Sequence, residues 1–160
     1  MRILVISDTH HMQASADAAL ARAGQVDMLV HLGDCVADGR CLHEMLGQEI
    51  PYVQVRGNCD SGASAPAEAV FTCAGMTMLA VHGNAQGVRW GTAQLLGLAR
   101  EKGARVAFYG HTHVPDITMQ GRVLLINPGS PALPRQGSAP SCAILELEKG
   151  RCVPAILPLR

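Results

Sequence analysis

The sequence predicts an α/β domain whose first half alternates strands and helices and whose second half is richer in antiparallel strand pairs. Three observations lead there. Short apolar runs alternate with helix-prone stretches as far as residue 55, the order expected of βαβ units and a parallel sheet. Beyond that point Ala74-Gly75, Gln120-Gly121 and Lys149-Gly150 each separate two apolar runs, which reads as three hairpins. The 160 residues suit one domain, 1–160, with a substantial core. Two mixed sheets packed face to face, with helices outside, accommodate both halves.

Residues 2–7 form a short apolar run with β-branched members, the first strand. Residues 13–23 are Ala-rich and helix-prone, with Gly24 as a stop. A second buried strand over 28–32 ends in Gly33-Asp34, and a short helix is expected over 38–46, before Gly47. The third strand, 52–55, leads to Gly57-Asn58-Cys59-Asp60, and 61–67 is a small-residue loop containing proline. The first hairpin pairs 68–73 with 76–81 and ends at His82-Gly83. Residues 88–102 carry Leu95, Leu96, Leu98 and Ala99 and predict a helix closed by Gly103. A buried strand over 106–109 runs into Gly110-His111-Thr112-His113. The second hairpin joins 115–119 to 122–126, residues 127–131 read as a turn-rich loop and 132–140 as irregular, and the third joins 141–147 to 151–157.

Composition excludes several classes. Lys plus Arg equals Asp plus Glu, 13 each, with no basic block, so neither an extended nucleic-acid footprint nor an anionic membrane surface is expected. One Trp, two Tyr and two Phe argue against a base-stacking platform. No apolar stretch approaches the roughly 20 residues that span a bilayer. Asp8 interrupts the first apolar run early, so no export signal is expected and the cytoplasm is the expected compartment. The six cysteines show no CxxC spacing and read as reduced thiols, mostly packed as small hydrophobes.

Five clusters carry the chemistry: Asp8-x-His10, Gly33-Asp34, Gly57-Asn58, His82-Gly83 and Gly110-His111-x-His113. Each follows a predicted strand, and in open α/β sheets ligands bind at the carboxyl ends of strands. An extended backbone at 111–113 would point both histidines the same way. Taken singly, each cluster has an ordinary explanation. Aspartate caps helices, Gly-Asp and Gly-Asn make turns, and a histidine can simply end a strand. Together they supply two carboxylates, one amide and four imidazoles. That is too many for one tetrahedral zinc and enough for two metals if a carboxylate bridges them. Mixed nitrogen and oxygen donors suit Mn, Fe, Ni, Co or Zn better than Ca or Mg. Such a pair of ions, about 3.5–4 Å apart, suits displacement at phosphorus.

The order D-x-H, G-D, G-N, H, G-H-x-H resembles the signature of the calcineurin-like metallophosphoesterases. The likeness runs from Asp8 to His113. Gly57 to Asp60 and Asn127 to Ser130 further resemble the branch of small single-domain phosphodiesterases. The resemblance implies a four-layer α/β/β/α sandwich and two divalent metal ions, with Mn foremost. It assigns Asp8, His10 and His113 to the first ion and Asn58, His82 and His111 to the second, with Asp34 bridging. It implies hydrolysis of a small phosphoester, most readily a phosphodiester, by a hydroxide bridging the ions. Asp34, Asn58, Cys59 and His82 fall at its catalytic positions. Apart from the resemblance, the apolar surface expected in the second half of the chain fits a homodimer. The retromer subunit of the same fold, with its Gly-His-Thr-His and Asn-Pro-Gly-Ser, implies the alternative of a non-catalytic, protein-binding scaffold. That subunit lacks the full ligand set; His10, Asn58 and His82 are all present here.

The resemblance breaks at one position. Cys59 stands where most of the superfamily has a histidine that protonates the leaving oxygen. A thiol is a softer acid with an ordinary pKa near 8.5, which favours phosphodiesters with good leaving groups. His31 reads as a satisfied core histidine, His11 as solvated and His43 as a helix-surface residue. Arg56 and Arg89 read as surface residues, and Asn127 to Ser130 as a turn rather than a substrate clamp.

Overall fold

The computed structural model describes residues 1–148 and 150–159. Lys149 of the third hairpin turn and Arg160 lie outside the described residues. One sheet has the strand order β10-β9-β1-β2-β3, from β1 (Arg2–Ile6), β2 (Met28–His31), β3 (Tyr52–Gln54), β9 (Ser141–Glu148) and β10 (Arg151–Pro158). The other has the order β4-β5-β6-β8-β7, from β4 (Glu68–Cys73), β5 (Met76–Val81), β6 (Val106–Phe108), β7 (Pro115–Gln120) and β8 (Val123–Pro128). Each is mixed: β1-β2-β3 and β5-β6-β8 are parallel, and the three expected hairpins pair antiparallel at the flanks.

Alternation along the strands creates four layers. Ile3 and Val5 of β1 point between the sheets, where they meet Met78, Phe108 and Ile126. Leu4 and Ile6 point outward onto Ala16, Ala19 and Ala23 of α1 (Gln13–Ala23) and Leu42 of α2 (Val36–Leu46). On the far side Leu79, Ala107 and Leu125 pack on Leu95 and Ala99 of α3 (Ala93–Glu101). The small residues of α1 let that helix approach the sheet closely. Among the described residues, no helix is long and apolar enough to cross a membrane.

Most boundaries fall within a residue of the sequence reading, and the two helix starts that differ by more do so for a tertiary reason. α2 starts at Val36, two residues before the expected 38, because the Asp60 carboxylate accepts the N–H groups of Cys35 and Val36 from across the loop. α3 starts at Ala93 rather than 88. There Val88 is buried against Gly83, where a Cβ would come within 2.8 Å of its methyl, and positive φ at Gly87 and Gly91 breaks the helix. β8 runs on through Asn127 and Pro128, so the 127–131 loop is shorter than expected. β7 likewise includes Gln120. His31 is the expected core histidine: Nδ1 accepts the Gly33 N–H at 3.3 Å and Nε2 lies 3.4 Å from Thr9 Oγ1.

Candidate metal centre

Both sheets end at one edge, and the five clusters meet there. From the first sheet, the buried Asp8 follows β1 and Asp34 follows β2. Their loops are stitched together by Asp8 N–H to Gly33 O at 3.0 Å and His10 N–H to Asp34 O at 3.0 Å. The stitching forces a left-handed backbone at Asp8 (φ 57°), His10 (φ 49°) and Asp34 (φ 54°). Such strain outside glycine collects at functional sites. Gly57 crosses directly over Asp34; a Cβ there would strike the Asp34 side chain. This close approach lets the Cys59 N–H donate to Asp34 Oδ1 at 2.9 Å.

From the second sheet, His82 follows β5, and His111 and His113 follow β6. The extended geometry expected for 111–113 is not found. Both histidines are left-handed (φ 67° and 60°), so they diverge into different parts of the centre. His111 Nδ1 lies 3.3 Å from His82 Nε2, while His113 Nε2 lies 3.2 Å from His10 Nε2. Carbonyl acceptors set two ring orientations. His82 Nδ1–H donates to Leu32 O at 2.8 Å and His113 Nδ1–H to Leu133 O at 2.6 Å. A carbonyl only accepts, so each neutral ring carries its proton on Nδ1 and turns a bare Nε2 inward, as metal-ligating histidines do.

The donors gather in two groups. Asp8, His10 and His113 bring ligand atoms within 4.8 Å of one another. Asn58 Oδ1 and His111 Nδ1 lie 3.1 and 3.3 Å from His82 Nε2. Asp34 Oδ2 stands between the groups, 3.7 Å from His10 Nε2 and 3.5 Å from His82 Nε2. All seven expected donors are thus at one place. A cation fits them on internal grounds. Asp8 Oδ1 is buried and receives no hydrogen bond. It faces the ring nitrogens of His113, His82 and His10 at 3.2, 3.9 and 4.0 Å. A buried carboxylate oxygen among inward-facing nitrogens is destabilising until positive charge is supplied.

The electrostatics agree. Burial works against ionising Asp8 and Asp34, yet His113 and His82 beside the first, and His82 and the Cys59 N–H beside the second, hold both below the ordinary carboxylate range. Burial opposes a charged His82, but Asp34 and Asp8 outweigh it and raise that ring's pKa. Partial desolvation, then the Asp34 carboxylate, push the Cys59 thiol up to about 11. Cys59 sits at the exposed rim, within reach of His10 and Asp34.

Three braces escaped the sequence reading. The buried Asp60 carboxylate accepts four N–H groups, from Asp34 (2.8 Å), Cys35 (3.1 Å), Val36 (2.9 Å) and Gly57 (2.8 Å). Asn127, read as a turn residue, is buried in β8; its amide donates to Gly110 O and Thr112 Oγ1, both at 3.0 Å. Ser130 Oγ donates to Asp8 O at 2.8 Å. Asn-Pro-Gly-Ser is therefore a brace for the ligand loops. The local signals were slight: Asp60 and Asn127 each stand two residues before a glycine, and Ser130 follows one.

The four-layer sandwich and its donor-lined edge define a metal-binding α/β protein. The chain belongs to the calcineurin-like phosphoesterase superfamily: the family model of that domain matches residues 1–150. It is 34% identical over 149 residues to the probable metallophosphoesterase YsnB of Bacillus subtilis, covering 92% of this chain and 85% of that one. It is 27% identical over 169 residues to the phosphodiesterase YfcE of Escherichia coli, covering 91% and 88%. The crystal structure of a conserved predicted phosphoesterase from Streptococcus pneumoniae superposes with a TM-score of 0.83 at 28% identity, covering 99% of this chain and 89% of that one. Family and relatives support a metal-dependent phosphoesterase, a hydrolase.

Proposed function

We propose that this chain is a dinuclear, metal-dependent phosphodiesterase acting on a small phosphoester, and that residues 1–160 form its single domain. The observation that carries the reading is the undonated, buried Asp8 Oδ1 facing three imidazole nitrogens. Asp8, His10 and His113 would hold one ion, Asn58, His82 and His111 the other, and Asp34 both. Bound there, divalent cations neutralise phosphate oxygens and supply hydroxide from water near neutral pH. Manganese is the metal to load first; Ni, Fe, Co and Zn suit the same donors. YfcE, named a phosphodiesterase, supports a diester.

The protein's own part is orientation and proton supply. Leu32 O and Leu133 O keep the His82 and His113 protons on Nδ1, and the Cys59 N–H fixes Asp34. The protonated thiol of Cys59, near His10 and Asp34 at the rim, would be the proton donor to the leaving oxygen. So weak an acid leaves alkyl leaving groups slow and aryl ones fast. Reduced, unpaired cysteines fit the cytoplasm. Exposed Ile117 and Met119 of β7 lie beside β10 with its exposed Val153, an apolar face that fits a homodimer.

The test is turnover of bis(4-nitrophenyl) phosphate by metal-loaded protein. We expect activity that Asp34→Asn or His111→Ala reduces at least about 1,000-fold, a scale set by loss of charge stabilisation at the reacting centre. A folded, metal-loaded protein inert toward phosphodiesters would instead favour the non-catalytic scaffold. Cys59→Ala and Cys59→His, compared on leaving groups of graded pKa, decide position 59. Identical leaving-group sensitivity in both would remove it from the chemistry.

A further inference from the structure

Beside the metal centre, a cavity of about 280 Å³ is lined by Arg89, Trp90, Thr112, Arg135 and Gln136. Thr112 lies between the two histidines of the Gly110–His113 loop, so the cavity and the centre share a wall. The same side of the centre is bonded to the cavity's floor: Arg135 N–H donates to His113 O at 3.2 Å, next to the Leu133 carbonyl that orients the His113 ring.

Trp90 is the only tryptophan of the chain and is 93% exposed. Its indole is in solvent, yet its backbone is held. Trp90 N–H donates to Gly87 O at 2.9 Å, and Val88, buried, donates to Gly83 O at 3.2 Å. Past the tryptophan, Thr92 Oγ1 accepts from Gln120 Nε2 at 2.8 Å. The loop is thus anchored on both sides of a bare aromatic face. Of the other exposed apolar residues, Val70 and Met119 lie on the outer strands β4 and β7, while Leu133 lies beside the His113 ring and is not aromatic. Among the described residues, Trp90 alone combines an aromatic face, two guanidinium groups lining the same cavity and a wall shared with the metal ligands.

An indole offers a π-face to any flat ring, and guanidinium groups both stack and bind anions in bidentate fashion. We propose that this cavity is a subsite for the non-reacting arm of the substrate, with Trp90 stacking on a nucleobase and Arg89 and Arg135 taking the adjacent anionic oxygens. The substrate class is then a nucleotidyl phosphodiester of one or two nucleotides. The low aromatic count still argues against long nucleic acid, because one platform stacks one base. This inference rests on the phosphodiesterase reading for its substrate, but not for its binding.

The lone tryptophan provides a readout independent of turnover. Titrating the protein with thymidine 5′-monophosphate should quench Trp90 emission saturably, beyond the quench of free N-acetyltryptophanamide at the same concentration. Inorganic phosphate and ribose 5′-phosphate should not. Arg89→Gln with Arg135→Gln should weaken the nucleotide titration about 10-fold. A second arm compares the 4-nitrophenyl ester of thymidine 5′-monophosphate with 4-nitrophenyl methyl phosphate. Trp90→Ala should cut the preference for the nucleotidyl ester about 10-fold, the loss lying in KM, and Trp90→Phe should restore most of it. No specific quench, or equal loss on both esters, overturns the subsite and leaves Trp90 to a contact with another protein. Saturable quenching without hydrolysis of either ester would sink the phosphodiesterase reading and leave the subsite standing.

Discussion

The two sheets hold their ends of the proposed metal centre by different means. At the first sheet a charged brace is used: Asp60, buried, collects four backbone N–H groups and so shapes the turn that presents Asp34. At the second sheet the brace is neutral: the Asn127 amide ties Gly110 and Thr112, the loop that presents His111 and His113. The donors differ as well. The first sheet supplies both carboxylates, the amide and one imidazole; the second supplies imidazoles alone. Each set is also oriented by the opposite sheet. Asp8 Oδ2 accepts the His111 N–H at 3.0 Å, and His82 Nδ1–H points to Leu32 O at 2.8 Å. The centre therefore forms only when the sheets dock, and the charged edge is the one exposed to acid and to single-atom changes.

The largest effect should come from the charged brace. Asp60→Asn replaces an acceptor oxygen by an N–H donor and leaves two buried backbone N–H groups without a partner, at about 4 kcal/mol in total. Denaturant unfolding should show the loss. If the account of the edge is right, loaded Asp60→Asn also binds metal more weakly while its donors remain intact.

The next effect is pH-dependent and belongs to the first sheet. Burial lowers the His31 pKa to about 4 from 6.5. Between those values the unfolded chain binds the proton that the folded one refuses, so stability rises with pH there and is lost as pH falls from 6.5 toward 4. The full span is worth about 3 kcal/mol. His31→Gln keeps a side-chain acceptor and does not titrate. The difference in unfolding free energy between wild type and variant, followed against pH without metal, should change by that amount across this window. A flat difference would remove His31 from the acid response.

The smallest effect falls on the neutral brace. Asn127→Ala should cost about 2 kcal/mol, since neutral hydrogen bonds are lost and buried groups remain. Its mark on the chemistry should be confined to the His111–His113 loop, seen as a changed His113 imidazole resonance in NMR while Asp34-side amides hold their shifts.

These contrasts also explain what could be read before folding. Asp8, Asp34, His82 and His111 were legible because each closes or follows an apolar run, and strand ends converge wherever parallel strands share a sheet. The layers were legible from the alternation of β1, with Ile3 and Val5 inward and Leu4 and Ile6 outward. What escaped depends on contacts distant in the chain. The segment Gly110-His111-Thr112-His113 follows a strand and carries no turn residue after its glycine, yet it is left-handed at His111 and His113, where the His111 N–H donates to Asp8 and the His113 ring to Leu133 O. The start of α3 is set by Val88 packing on Gly83, which propensity does not register. Asp60 and Asn127 look like turn residues because their partners lie as far as 26 and 17 positions away.

The most direct test of the central claim is a metal count at equilibrium. Metal-free protein dialysed against buffered manganese and analysed by mass spectrometry should hold two ions per chain. His10→Ala and Asn58→Ala should each hold one at concentrations that saturate the wild type, and Asp34→Asn should bind both more weakly. A wild-type chain that saturates at one ion, or that retains both ions unchanged in Asp34→Asn, would contradict the shared-carboxylate centre.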